Sequence, residues 1–158
     1  MKKILLFFFV SLLAFGNSVY AQQKPDFSGT WVLDIAGSDL GGASKAATKQ
    51  GQMYKISLIV TQTAKQLTIK RSTGDTAVYN LDGSDSINNL PNGNQAVTRM
   101  KWDGDRLVAK TTANMGGQTI EMTDVRSLDT SGRIMTVHLT RQTPRGEMKQ
   151  TLIYNKHE

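Results

Sequence analysis

The sequence predicts an all-β fold, an antiparallel up-and-down meander of eight or nine strands closed into a barrel. Three observations carry this. Apolar residues recur with a period of two along most of the chain, and a period of 3.6 is absent from the longer runs. Glycine-containing turn signals separate those runs at short intervals. The chain has no cysteine, so disulfides are excluded and a hydrophobic core must hold the domain.

The elements follow in order. Met1-Lys2-Lys3 is a short basic start, Ile4 to Phe15 is apolar except for Ser11, and Gly16 to Ala21 is small and polar. This has the form of a secretory signal peptide over residues 1–21, cut after Val19-x-Ala21. As a helix the apolar run would rise about 18 Å, short of a ~30 Å hydrocarbon core. The expectation is export, to the periplasm or beyond, with no transmembrane helix in the mature form. A lipidated N-terminus would need a cysteine. Residues 22–158 have the size of a single domain.

Within that domain, Trp31, Leu33 and Ile35 alternate with polar or opposite-facing neighbours. So do Ile56, Leu58 and Val60, then Leu67 and Ile69, then Tyr79 and Leu81. Asp82-Gly83 opens what reads as a long polar loop through Asn88-Asn89, Pro91 and Asn92-Gly93. Alternation resumes with Met100 and Trp102, Leu107 and Ala109, Ile120 and Met122. It ends with Met135, Val137 and Leu139, then Leu152 and Tyr154. That makes nine candidate strands. Asp103-Gly104 marks a tight hairpin, and Gly116-Gly117, Ser131-Gly132 and Pro144-Arg145-Gly146 mark further turns. Short hairpins force sequential antiparallel neighbours. Such a meander can split into a sandwich, but hairpin order favours a barrel, which removes exposed edges. Gly37 to Gly51 is the long exception, with room for one or two helical turns in Ala43 to Gln50.

The first strand opens on Gly29-Thr30-Trp31. Glycine permits an unusual dihedral or a close backbone approach. A tryptophan two residues on can plug the closed end and take a cation over its indole. Arg141 shares the inward phase of Met135, Val137 and Leu139, and is the candidate cation.

These features resemble the lipocalin and wider calycin barrels. The matching parts are Gly29, Trp31, Arg141 and the Gly37–Gly51 loop. More narrowly, the chain is similar to small secreted bacterial lipocalin-like proteins. The stretches that carry this likeness are Ser28 to Asp34, Trp102 to Val108 and Ser127 to Gly132. The resemblance implies a calycin-type barrel, with Gly29, Trp31 and Arg141 closing one end and the long loop over the other. It departs at Thr123-Asp124-Val125, where the best-known lipocalins carry Thr-Asp-Tyr. Their C-terminal helix and disulfide have no counterpart here.

Several function classes fall away. Lys and Arg number 19 against 13 Asp and Glu, and the net +6 falls to +4 if Lys2 and Lys3 leave with the leader. The excess is spread along the chain with no basic stripe, so nucleic-acid binding is not expected. His138 has the outward phase of its strand, which argues against haem ligation, and His157 lies near the chain end. No metal-ligand spacing, nucleophile elbow or phosphate loop occurs, so no metal, no cofactor and no enzymatic activity are expected.

The inward positions remain. They give an apolar lining with Thr98, Thr111 and Gln150 as polar handles. The sequence reading is a barrel that binds a small apolar or amphiphilic ligand through Leu58, Met100, Ala109, Met122 and Leu139. The alternative is a filled barrel that binds an envelope partner through its loops or outer face; its protein partner is unknown.

Overall fold

The computed structural model describes residues 24–41, 56–90, 93–143 and 146–157. The signal-peptide segment, the Ala43–Gln50 helical turns and the Pro144-Arg145 part of the last turn signal lie outside the described residues. Ten strands form one antiparallel sheet. They are β1 (Gly29–Asp39), β2 (Ser57–Gln62), β3 (Gln66–Arg71), β4 (Thr76–Asn80), β5 (Asp82–Asn89), β6 (Gln95–Asp103), β7 (Arg106–Met115), β8 (Gln118–Leu128), β9 (Ile134–Thr143) and β10 (Gly146–His157). The spatial order is β4-β3-β2-β1-β10-β9-β8-β7-β6-β5. The meander is as expected; its closure is the β1–β10 pairing, in which Trp31 lies opposite Lys156.

The described residues form ten strands, where the sequence predicts eight or nine. The missed strand is β5, read as a loop. Its sequence, DGSDSINN, carries one large apolar residue, and that one faces outward: Ile87 is 63% exposed while Ser86 is buried. Hydrophobic alternation cannot report a strand whose inward face is polar.

Strand β5 also explains why the barrel is only nearly closed. β4 and β5 flank Leu81 in sequence but share no backbone ladder. Side chains bridge them. Val78 N–H donates to Asn88 Oδ1 at 2.8 Å, and Asn88 Nδ2 donates to the Val78 carbonyl at 3.0 Å. Asn80 N–H donates to Ser86 Oγ at 2.8 Å. The Asn88 amide thus satisfies a backbone donor and acceptor, as a facing strand would.

The core fills one end. Phe27, Trp31, Leu67, Met100, Leu107 and Met135 are fully buried there, with Ala109 and Tyr154 beside them. The tight β2–β3, β4–β5 and β6–β7 connections lie at this end. Gly104 takes φ +62° as the first of two residues between Asp103 and Arg106, the pattern of a type II′ hairpin. The segment before β1 straps the end shut. Gln62 accepts from Phe27 N–H at 3.0 Å and donates to the Pro25 carbonyl at 2.9 Å. Lys24 Nζ donates to the Gly104 carbonyl at 2.7 Å and lies 5.5 Å from the Trp102 ring centroid.

Trp31 occupies the plug position, and its indole N–H donates to the Phe27 carbonyl at 2.9 Å. The cation over it is Lys156, with Nζ 5.3 Å from the ring centroid. This corrects the assignment of Arg141. Trp31 and Lys156 face each other across β1 and β10, whereas Arg141 pairs with Met148, eight residues back along β10. At about 3.3 Å per residue that is roughly 26 Å away, near the opposite end of the barrel. The same contact explains Gly29. At φ +139°, a Cβ on Gly29 would lie 2.5 Å from Lys156 Cε. The glycine opens the space through which the lysine stem crosses.

Candidate functional site

Above the closed end lies a cavity of about 300 Å³, lined from β2 through β10. Its apolar wall includes Leu58, Ile69, Met122, Val137, Leu139 and Leu152. Of the five residues proposed from sequence, Leu58, Met122 and Leu139 line this space. Met100 and Ala109 do not. They sit in the closed-end core, Met100 fully buried and Ala109 3% exposed. Shared inward phase set the face of each residue but not its height along the barrel. Thr98 and Thr111 do line the cavity, with their hydroxyl oxygens 2.8 Å apart. Gln150 instead donates to the Leu40 carbonyl at 2.5 Å.

The polar part of the cavity is built from charges. On β8, Ile120, Met122, Asp124 and Arg126 share one face by strand alternation. The Arg126 guanidinium grips Asp124 with two bonds, Nε to Oδ1 at 2.9 Å and a second from Nη2 to Oδ2. The two side chains are 8% and 18% exposed. A second pair, Arg71 with Asp75, comes from the end of β3 and the turn that follows it. Tyr79 and Tyr154 complete the lining of this region.

The electrostatics follow from that arrangement. Burial opposes the Arg126 charge, but the field of Asp124 and its hydrogen bonds outweigh burial and hold the guanidinium pKa above its ordinary value. Burial pushes the Tyr154 phenol up, against the pull of Arg126. Asp75 is held low by the Thr73 hydroxyl and by Arg71. The cavity lining thus sets two arginines against two aspartates, each arginine with its own carboxylate.

Sequence reasoning missed Asp124 and Arg126 as interior residues. The signal was present, because the Ile120–Met122 phase extends two and four residues on to both. Charged residues were passed over as interior positions because such residues are rarely buried unless paired, and here each is the other's partner.

This arrangement can hold an amphiphile, with its tail on the apolar wall and its head at the paired charges. It is poorly suited to acid–base catalysis, which needs carboxyl groups in divergent environments and free to exchange protons; both carboxylates here are engaged by arginines. Among the described residues no group of three or more His, Cys, Asp or Glu could hold a metal ion. His138 is exposed on the outer face, with Nδ1 3.2 Å from Thr151 Oγ1. His157 ends β10 opposite Thr30.

No protein-family model and no curated protein matches the chain. Solved structures do. The chain is similar to a zebrafish ileal bile acid-binding protein complexed with cholic acid, at 14% identity and TM-score 0.59. That match covers 83% of this chain and 98% of the other. It is also similar to a protein described as the REP1-NXSQ fatty acid transporter, at 17% identity and TM-score 0.60, covering 84% and 97%. The fold is a calycin-type β-barrel. At these identities the likeness speaks for architecture alone. Among the described residues no helix is long and apolar enough to cross a membrane.

Proposed function

We propose that this chain is a non-enzymatic binding barrel that holds one small amphiphilic molecule in the cavity above Trp31, and that it does so after export. The observation that carries this is the cavity itself: about 300 Å³ of interior space, lined by apolar side chains together with charged, hydroxyl and amide groups. Ligand sites have this composition, apolar surface for affinity with a few fixed polar groups for orientation. Leu58, Met122 and Leu139 are the contacts proposed for the tail. Burial of a tail is favourable by roughly 25 cal/mol per Å² before the losses of association. The bile acid-binding and fatty acid-transporting neighbours support a binding role for this architecture. Export rests on the leader-like residues 1–21.

Native mass spectrometry of the purified protein is the direct test. A retained small molecule, or saturable one-to-one uptake of an apolar fluorescent probe, is the expected result. A protein that takes up nothing would return the alternative, a filled barrel that binds an envelope partner. One observation favours that alternative: Ile87 and Val97 face each other across β5 and β6 on the outer surface, both exposed.

A further inference from the structure

We propose that the cavity selects an amphiphile with an uncharged head, bearing hydroxyl or amide groups, over one with a carboxylate or an ammonium, and that Asp124 sets this selectivity by occupying the anion-binding edge of Arg126. The inference rests on the binding-barrel reading and sharpens it to a ligand class.

A buried guanidinium inside an apolar barrel is by itself an anion seat, because its planar fork matches a carboxylate with two parallel bonds. Here one edge of that fork is taken. Nε and Nη2 of Arg126 both donate to Asp124, two residues earlier on the same strand face. The occupant is tethered by the backbone and cannot diffuse away. For an incoming carboxylate to replace it, the Asp124 charge would have to turn toward the apolar wall, where an unpaired carboxylate is heavily penalised. Arg71, the other cation of the lining, is matched by Asp75. Among the described residues, the charged side chains lining the cavity are these four, and they sum to zero.

A carboxylate ligand would therefore add one negative charge to a lining whose four charges already cancel; Arg141, opposite Met122 on β9 with a buried Nε that has no hydrogen-bond partner, lies beyond that lining. An ammonium would add one positive charge with both carboxylates already engaged. A hydroxyl or amide head gives up far less hydration on transfer. It also finds matching groups: the phenols of Tyr79 and Tyr154 and the hydroxyls of Thr98 and Thr111 all line the same space, and each can donate or accept.

The test is a series with one tail and different heads. Dodecanol, N-methyl dodecanamide, dodecanoate and dodecylamine compete at neutral pH against an apolar fluorescent probe bound to the full chain. The alcohol and the amide should displace the probe at concentrations roughly tenfold or more below those of either ion. In Asp124→Asn, which removes the carboxylate charge and one of the two acceptors from the Arg126 fork, dodecanoate should gain roughly tenfold or more while dodecanol changes little. Asp75→Asn supplies a second, less buried variant and should move dodecanoate in the same direction.

If wild-type protein binds dodecanoate as tightly as dodecanol, the proposal is overturned whatever the variants do. It is equally overturned if folded Asp124→Asn keeps the wild-type order of preference. Should the probe itself fail to bind wild-type protein, the binding-barrel reading is lost, and this one with it. Probe binding with the wrong order of heads removes the head-group inference alone.

Discussion

Lys156 crosses the backbone of Gly29 to place its ammonium 5.3 Å from the centroid of the Trp31 ring. Three residues thus form one device at the closed end: a gap, a stem that fills it and a ring beneath. Trp31→Ala should destabilise the fold by about 3–5 kcal/mol, as expected for truncating a buried aromatic. Lys156→Ala should cost about 0.5–2 kcal/mol. In denaturant melts the two losses should be non-additive, because the side chains touch. Trp31→Ala combined with Arg141→Ala should be additive, because Arg141 sits far along the barrel.

Gly29→Ala tests the gap separately. The new methyl would meet Lys156 Cε and force a backbone dihedral that side chains rarely adopt. A loss of about 1–3 kcal/mol is expected. Pairing it with Lys156→Ala should recover the part due to collision and leave the part due to strain. Full additivity of the two changes would show that the stem is not held against Gly29.

The β4–β5 seam should be the softest part of the wall. Asn88→Ala removes both bonds to Val78 and has no ladder beneath it to compensate. The expected loss is about 1–2 kcal/mol, with faster hydrogen exchange at the Val78 amide and little change in the β8–β9 ladder. Uniform acceleration across the sheet would mean that the seam opens only with global unfolding.

Ala109 distinguishes core from cavity. Ala109→Phe should destabilise the barrel by about 1–3 kcal/mol or more, because the site is closely packed. Leu139→Trp, on the cavity wall, should instead weaken probe binding with a smaller effect on the melt. Loss of probe binding by Ala109→Phe at undiminished stability would move the cavity toward the closed end.

Asp129 caps the β8–β9 turn, accepting from the Ser131 hydroxyl and from the Arg133 and Ile134 amides. The hydroxyl and amide donors lower its pKa to about 2, from an ordinary value of 3.8. A depressed carboxyl pKa contributes stability that is present above the unfolded value and lost as pH falls through the folded one. Asp129→Asn should therefore flatten the acid limb of the stability profile between those two values. An unchanged acid limb in the variant would place that dependence on other carboxylates.

The sequence by itself determined the fold class. Alternation along β1, β2, β6 and β9 set which side chains face inward, and Asp103-Gly104 set a hairpin, because both are local properties of a pleated chain and its turns. Gly29 and Trp31 were legible as a closing pair for the same reason. Height along the barrel was decided only by register. Register matched Trp31 with Lys156 and not Arg141, left Met100 and Ala109 in the core, and gave the cavity to Leu58, Met122 and Leu139. Periodicity assigns a face, but relative strand offset depends on long-range pairing. Strand β5 was hidden because its inward residues are Ser86 and Asn88, which work as hydrogen-bonding surrogates for a ladder. Asp124 and Arg126 were hidden because a buried charge is intelligible only once its partner is seen. Where the barrel interior is polar, alternation of hydrophobicity has nothing to report, and tertiary structure alone shows the two ion pairs that shape the site.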